Sequence, residues 1–285
     1  MRRTIPLLPI LFSAAFAMSL LVTPTLSWAQ EEEPEFSELR ALIEINTTDG
    51  DAGLQILIDG DGWRKVRVDD PNGQKIFEVK GSKSVKEQGL TENFFESAEP
   101  SCDEEGFSLT DTLDRFPAGE YRVSGKSIDN EQMEGEAILT HALPGAPENL
   151  LPDGGVVDAT LPVMIKWTPG DELGNCPPND ADILDPGAVP LFGYQLVVER
   201  EVPGPLLVFG AEVPAGTTSV TISPEFMQMG AFYKYEVVAI EQPLNEDGSP
   251  VLNEDGHPVK GNQSITENFF CTAPLTTVEC NELAE

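Results

Sequence analysis

Val163-Met-Ile-Lys-Trp-Thr-Pro169 holds the pattern from which the fold can be read. Val163, Ile165 and Trp167 alternate with Met164 and Lys166, so one apolar set points into a core while the other meets solvent. Downstream, Gly193-Tyr-Gln-Leu-Val-Val198, Ser219 to Ile222 and Tyr233-Lys-Tyr-Glu-Val-Val-Ala239 are further short β-rich runs. Upstream, Leu39, Ala41, Ile43 and Ile45 share a face opposite Arg40 and Glu44, and Leu54, Ile56 and Ile58 form the face of a second strand.

Residues that turn a chain lie between these runs. Asp59-Gly-Asp-Gly62 reads as a hairpin turn, since glycine supplies positive φ at no steric cost. Trp63 to Val68 and Gln74 to Val79 make a second hairpin around Asp69-Asp-Pro-Asn-Gly73. Phe94 and Phe95 mark another strand, Ser108 to Arg115 a short helical turn, and Glu120 to Ser127 and Glu136 to His141 the closing strands. Many short strands with turn signals between them predict an all-β chain built of sandwiches. The proline- and glycine-rich stretches Leu143-Pro-Gly-Ala-Pro147 and Leu151-Pro-Asp-Gly-Gly155 mark a boundary. The expected plan is an acidic leader over 30–38, an N-terminal β-sandwich domain over 39–143, a second domain over 146–273 and a tail over 274–285.

The second domain, with Pro147-Glu-Asn-Leu150 and the runs already quoted, resembles a fibronectin type III domain of the bacterial exported kind. The resemblance implies an immunoglobulin-like sandwich in which Trp167 is the core tryptophan of the second strand. It also implies that Tyr194 opens the third strand and that Tyr233 is the corner tyrosine beginning the sixth. The chain departs from the family in a long Gly170–Pro190 loop, in the insertion from Gln242 to Gly261, and in lacking the family's adhesion tripeptides. In the first domain, Phe116-Pro-Ala-Gly-Glu-Tyr121-Arg-Val123 resembles the same corner, which makes Tyr121 a core residue of a second sandwich.

Compartment is read from the first residues. Arg2 and Arg3, the apolar stretch Ile5–Val22 and Ser27-Trp28-Ala29 form a signal peptide over 1–29, which sends the rest to the periplasm or the medium. No later segment is apolar enough to span a bilayer. The net charge of −32 speaks against nucleic acid and anionic membrane surfaces, and fits divalent cations, basic partners or plain solubility. Cys102, Cys176, Cys271 and Cys280 predict two disulfides in an oxidising compartment, with three connectivities open. Cys271–Cys280 is the natural short loop, and Cys176–Cys271 an alternative. With no C-x-x-C and only His141 and His257, a structural zinc site is not expected.

Calcium is the one metal the sequence raises, at Asp49, Asp51, Asp59 and Asp61, against ordinary turn chemistry as the competing reading. None of these matches an EF-hand, since Trp63 falls where a ligand is needed after Asp61. Two repeats stand out. Leu90-Thr-Glu-Asn-Phe-Phe95 recurs as Ile265-Thr-Glu-Asn-Phe-Phe270, and Leu244-Asn-Glu-Asp-Gly-Ser-Pro-Val251 is followed at once by Leu252-Asn-Glu-Asp-Gly-His-Pro-Val259. The octads suggest an extended hairpin or a long loop. Sequons lie at Asn46 and Asn262. No nucleophile–base constellation or phosphate loop is recognisable.

The expected function is therefore an exported, non-enzymatic binding or structural module of the envelope or extracellular space, with no cofactor and a protein or glycan partner. One alternative is a carbohydrate-active enzyme or accessory, with Trp63 as the tryptophan free to stack on sugars. The other is a subunit of an envelope assembly, joined through the Phe94-Phe95 or Phe269-Phe270 strand acting as an edge.

Overall fold

The alternating run at the start becomes β1 (Glu38–Asn46), which turns into β2 (Asp51–Asp69). Gly50, at φ +76°, closes that turn by donating its N–H to Asn46 O at 2.8 Å. The computed structural model describes residues 34–177, 185–253 and 255–284, so the expected signal peptide and the start of the leader lie outside it. The end of the leader is not loose, because Phe36 is buried in the first core.

β2 runs unbroken for 19 residues, which corrects the hairpin expected at Asp59–Gly62. Gly60 and Gly62 are not among the positive-φ glycines. Gly60 is small for a different reason: a Cβ there would lie 2.6 Å from Glu35 O and 2.8 Å from Phe36 Cα, where the N-terminal arm crosses the strand. The strand bends instead, and its pairing slips register between Asp59 and Trp63 and between Trp63 and Lys65. Its first half lies between β1 and β4 (Leu90–Glu96). Its second half lies between β3 (Lys75–Lys80) and β5 (Gly119–Ser127), which is followed by β6 (Gln132–Leu139).

One bent strand therefore serves both layers of a sandwich. Ile43, Ile45, Ile56, Ile58, Trp63, Val66, Tyr121 and Val123 fill the space between them. Each such side chain contributes roughly 1.5–3 kcal/mol by leaving water. The β2–β3 hairpin closes as the sequence predicts, with Asp70 accepting N–H bonds from Asn72 (3.0 Å) and Gln74 (2.7 Å). Of the two short helices, α1 (Lys83–Gln88) and α2 (Leu109–Arg115), the second opens on a Ser108–Asp111 capping box.

Past the proline-rich join, β7 (Glu148–Leu151), β9 (Val163–Thr168) and β12 (Ser219–Ile222) form one layer in the order β12-β9-β7. The facing layer is β11-β10-β13-β14, made of β10 (Leu191–Val202), β11 (Leu207–Pro214), β13 (Phe232–Glu241) and β14 (Gln263–Thr272). The short β8 (Val156–Val157) lies along the end of β14. Three strands facing four in this order is the sandwich layout that the fibronectin resemblance implies. Trp167 meets Tyr194 edge-on with ring centroids 5.5 Å apart, and Tyr233 stacks on Phe270 at 5.0 Å. Both corner tyrosines close as such corners do: Tyr233 Oη accepts the Gln228 N–H at 2.7 Å, and Tyr121 Oη donates to Pro117 O at 3.1 Å.

The two sandwiches share a sheet. β14 pairs in parallel with β1 through Glu44–Gln263, Ile45–Ser264 and Asn46–Ile265. The strand order is therefore continuous from β11 to β6, and residues from Pro34 onward form one compact unit around two main cores. The long loop after β9 reaches back, burying Leu173 and Cys176 in the first core. Of the connectivities open to the sequence, the chain takes Cys102–Cys176 and Cys271–Cys280. The second bridge fastens α3 (Thr277–Ala284), so the segment expected as a tail carries a helix. The octads do not make one extended hairpin. Leu244 bridges Pro250 and Leu252 bridges Pro258, while Val251 N–H binds Pro243 O and Val259 N–H binds Val251 O, both at 2.9 Å. One small loop thus stacks on the other.

Candidate functional site: the outer face of the shared sheet

Alternation continues across the shared sheet, so the side chains pointing away from both cores form one surface. They include Gln195 of β10, Val238 and Ile240 of β13, Gln263 and Ile265 of β14, Leu42 and Glu44 of β1, Gln55 and Leu57 of β2, and Phe94 of β4. Leu42, Val238, Ile240 and Ile265 are buried even on this outer side, the last three packing with Phe192. A groove of about 310 Å³ lies over the junction between the sandwiches, with Leu42, Leu57, Phe94 and Ile240 as its apolar lining and Gln55, Gln195 and Gln263 among its polar groups. Lys260, arriving from the second octad, borders it and binds Glu212 Oε1 at 2.6 Å.

Beside the groove, carboxylate oxygens of Glu44, Glu96 and Glu99 lie within 4.8 Å of one another. Gly53 makes room for this, since a Cβ there would strike Glu99 Cγ at 2.7 Å. Burial, then the charges of Glu99 and Glu96, push the Glu44 carboxyl up to about 7. Burial, then Glu96 and Asp51, push Glu99 up to about 7 as well. Three crowded carboxylates can relieve their repulsion by holding protons or by holding a divalent cation. Farther along the face, Glu236 stands directly opposite Glu267; burial, then Glu267, raises its pKa. Glu267 in turn is bound by Lys234 and by Asn46 Nδ2 at 2.8 Å.

Behind the groove a buried polar lock joins the sandwiches. Asn262 is fully buried, and its Oδ1 accepts the Ile43 N–H at 2.8 Å. Its Nδ2 donates to Thr140 O (3.1 Å), Thr140 Oγ1 (2.9 Å) and Ala142 O (3.1 Å). Glu241, also buried, accepts the Thr140 hydroxyl at 2.6 Å and the Asn262 N–H at 2.8 Å. Burial pushes its carboxyl up to about 7 against the lowering effect of those two bonds. The linker, the first strand and the last strand pair meet at this one amide.

The sequence-derived sites land as follows. Asp49 and Asp51 stand at one end of the β1–β2 ladder and Asp59 and Asp61 at the other, so the four are not brought together. Asp59 accepts from the Ser37 hydroxyl and the Gly60 N–H, and Asp61 from the Glu35 N–H, which fastens the N-terminal arm. Trp63 is fully buried, which removes it as a sugar platform. Asn262, at the second sequon, is closed to modification in the folded chain. His141 Nε2 lies 2.8 Å from Phe116 O, whereas His257 is exposed in its octad. The repeated segments become β4 and β14, which run in the same direction on the shared sheet. In both, the first phenylalanine (Phe94, Phe269) lies on the outer side and the second (Phe95, Phe270) packs with a core. β14 has strands on both sides, so it is not an edge, whereas β4 pairs only with β2 among the described strands.

The carboxylate cluster and the Asn262 lock have no motif in the sequence; their members come from strands far apart in the chain. No protein-family model matches the sequence, and no curated protein matches it. Among solved structures, the chain is similar to the chicken CNTN1 FN1-FN3 domains, at 10% identity and a TM-score of 0.32, over 84% of this chain and 66% of that one. It is also similar to a structure described as a myokine, at 15% identity and a TM-score of 0.22, over 43% of this chain and 94% of that one.

Proposed function

We propose that the chain is an exported, non-enzymatic binding module of the cell envelope or extracellular space, which presents the groove on its shared sheet to a protein or glycan partner. The observation that carries this reading is the Cys102–Cys176 bridge between the two sandwiches. Disulfides of this structural kind persist in oxidising compartments and are rare in a reducing cytosol. The leader-like first 29 residues support the same destination. Support for binding comes from a groove built on strands, which hold side chains more firmly than loops do. Its volume falls at the low end of ligand sites, roughly 300–1,000 Å³. Among the described residues no helix is long and apolar enough to cross a membrane.

Expression of the full chain in a bacterial host, followed by fractionation and intact-mass analysis, tests the destination. The expected species begins at Gln30, lies outside the cytoplasm and carries both disulfides. An uncleaved, cytoplasmic chain with free thiols refutes it. Affinity capture from envelope extracts and on a glycan array, with Leu57→Arg in parallel, tests the groove: a partner lost by the variant is expected, and a partner held equally well by both refutes it.

A further inference from the structure

We infer that the free edge of β11 is a self-association site at which two copies of this chain pair antiparallel about Gly210. An edge strand leaves every second N–H and C=O without a ladder partner, and exposed edges are ordinarily blunted by charge, shortness or cover. The other edges here follow that rule. β3 carries Lys75, Glu78 and Lys80, β4 carries Glu92 and Glu96, and β6 carries Glu134 and Glu136. β7 and β12 are only four residues long.

β11 is not blunted. From Val202 to Ala211 no residue is charged, in a chain that holds 49 acids among 285 residues. Leu206, Leu207 and Val208 are exposed, Val208 by 55%. The one charge on the strand, Glu212, is bound by Lys260.

The occupant follows from charge and shape. Two copies of so acidic a protein repel each other over most of their surfaces. They can meet without that cost where the surface is neutral, and β11 supplies such a strip. A two-fold axis through Gly210 places glycine opposite glycine, where a Cβ would have nothing within 4 Å in the single chain. On the core side it sets Phe209 opposite Ala211 and Leu207 opposite Val213, a large residue against a smaller one at each rung. Phe209 and Val213 already pack on the second core. The pairing would therefore extend two sandwich layers into one, and because the axis is two-fold the assembly closes as a dimer instead of growing.

The test uses the full chain as isolated after export, followed by light scattering behind size exclusion from micromolar to millimolar concentration. The expected result is a twofold rise in mass with concentration. Val208→Glu, an exposed change that sets an acid opposite the partner's Glu212, returns the mass to that of one chain without shifting the melting temperature. Gly210→Cys, on an extended backbone with open space around it, gives a disulfide-linked dimer on a non-reducing gel. A single-chain mass at every concentration overturns the inference. So does a dimer that survives Val208→Glu while Gly210→Cys stays unlinked, and so does open-ended aggregation that tracks β11.

Discussion

Replacing Asn262 with alanine tests how the two sandwiches are held together. The side chain accepts one hydrogen bond from Ile43 N–H, and its two Nδ2 hydrogens serve three acceptors, Thr140 O, Thr140 Oγ1 and Ala142 O, in a site with no solvent exposure. With the amide removed from a site closed to bulk solvent, Ile43 N–H loses its acceptor, at a cost of about 1–3 kcal/mol. The two linker carbonyls each lose a donor as well, which brings the whole to about 3 kcal/mol. For a chain of this size each kcal/mol lowers the melting temperature by about 2–4 °C, so the expected fall is about 6–12 °C. Calorimetry measures the fall, and hydrogen exchange at the Ile43 amide shows whether it arises at this bond. Asn262→Asp keeps the acceptor but turns lone pairs toward the two carbonyls, so it is expected to be at least as damaging at neutral pH and to recover partly in acid. A fall smaller than about 2 °C, or unchanged protection of the Ile43 amide, refutes the lock.

The raised carboxyls of Glu44, Glu99 and Glu241, each at about 7, mean that the folded chain holds protons the unfolded chain releases near 4.5. Their stabilising contribution is thus complete below the unfolded value and is lost as pH rises through about 7, so the melting temperature should fall between pH 5 and pH 8. Glu241→Gln should flatten that slope by on the order of 2–3 kcal/mol, and a slope identical to wild type rules out its burial as the cause. Glu99→Gln should stabilise the chain at pH 8 and leave it unchanged at pH 5, since only the ionised cluster is crowded; equal effects at both would show that repulsion is not involved. Joint Cys102→Ser and Cys176→Ser substitution opens a loop of 74 residues and should cost about 4 kcal/mol in denaturant unfolding. A loss near zero would show that the bridge constrains nothing the fold does not already hold. Tyr233→Phe strips the Gln228 N–H of its acceptor and should cost more, at about 1–3 kcal/mol, than Tyr121→Phe, which leaves only a carbonyl short of one donor; the reverse order contradicts the corner geometry.

Where a feature depends on neighbours along the chain, the sequence shows it. The alternation of Val163, Ile165 and Trp167, the Asp69–Gly73 turn, the helical turn from Ser108 to Arg115 and both tyrosine corners all lie within a few residues of their partners. The misreading at Asp59–Gly62 has the same origin. Two glycines between strand-like runs carry the composition of a turn, and only the crossing of Phe36, more than twenty positions earlier, reveals that Gly60 is small to let a backbone pass. The parallel β1–β14 pairing, the Glu44–Glu96–Glu99 cluster and the choice of Cys176 for Cys102 depend on segments that approach only after folding. Asn262 was visible as a sequon, which is a surface signal, whereas its surroundings make it the most enclosed amide of the lock. Trp63 misleads for another reason: it is left as the tryptophan free for a ligand only by assigning Trp28 and Trp167 elsewhere, whereas β2 slips register at Trp63 and the ring is buried in the first core.

The parallel rungs between β1 and β14 set how the molecule bears a pull on its two ends. The amino end of β1 and the carboxyl end of β14 lie at opposite ends of neighbouring strands that run the same way. Tension applied between the chain's ends would drive these strands past each other lengthwise, so that the backbone bonds of the junction and the side-chain bonds of Asn262 share the load at once instead of opening one by one. A module with this geometry is stiff along the line that joins its attachment points. α3 follows β14 and so lies in the path of the load, where the Cys271–Cys280 bridge passes the tension straight to the end of β14.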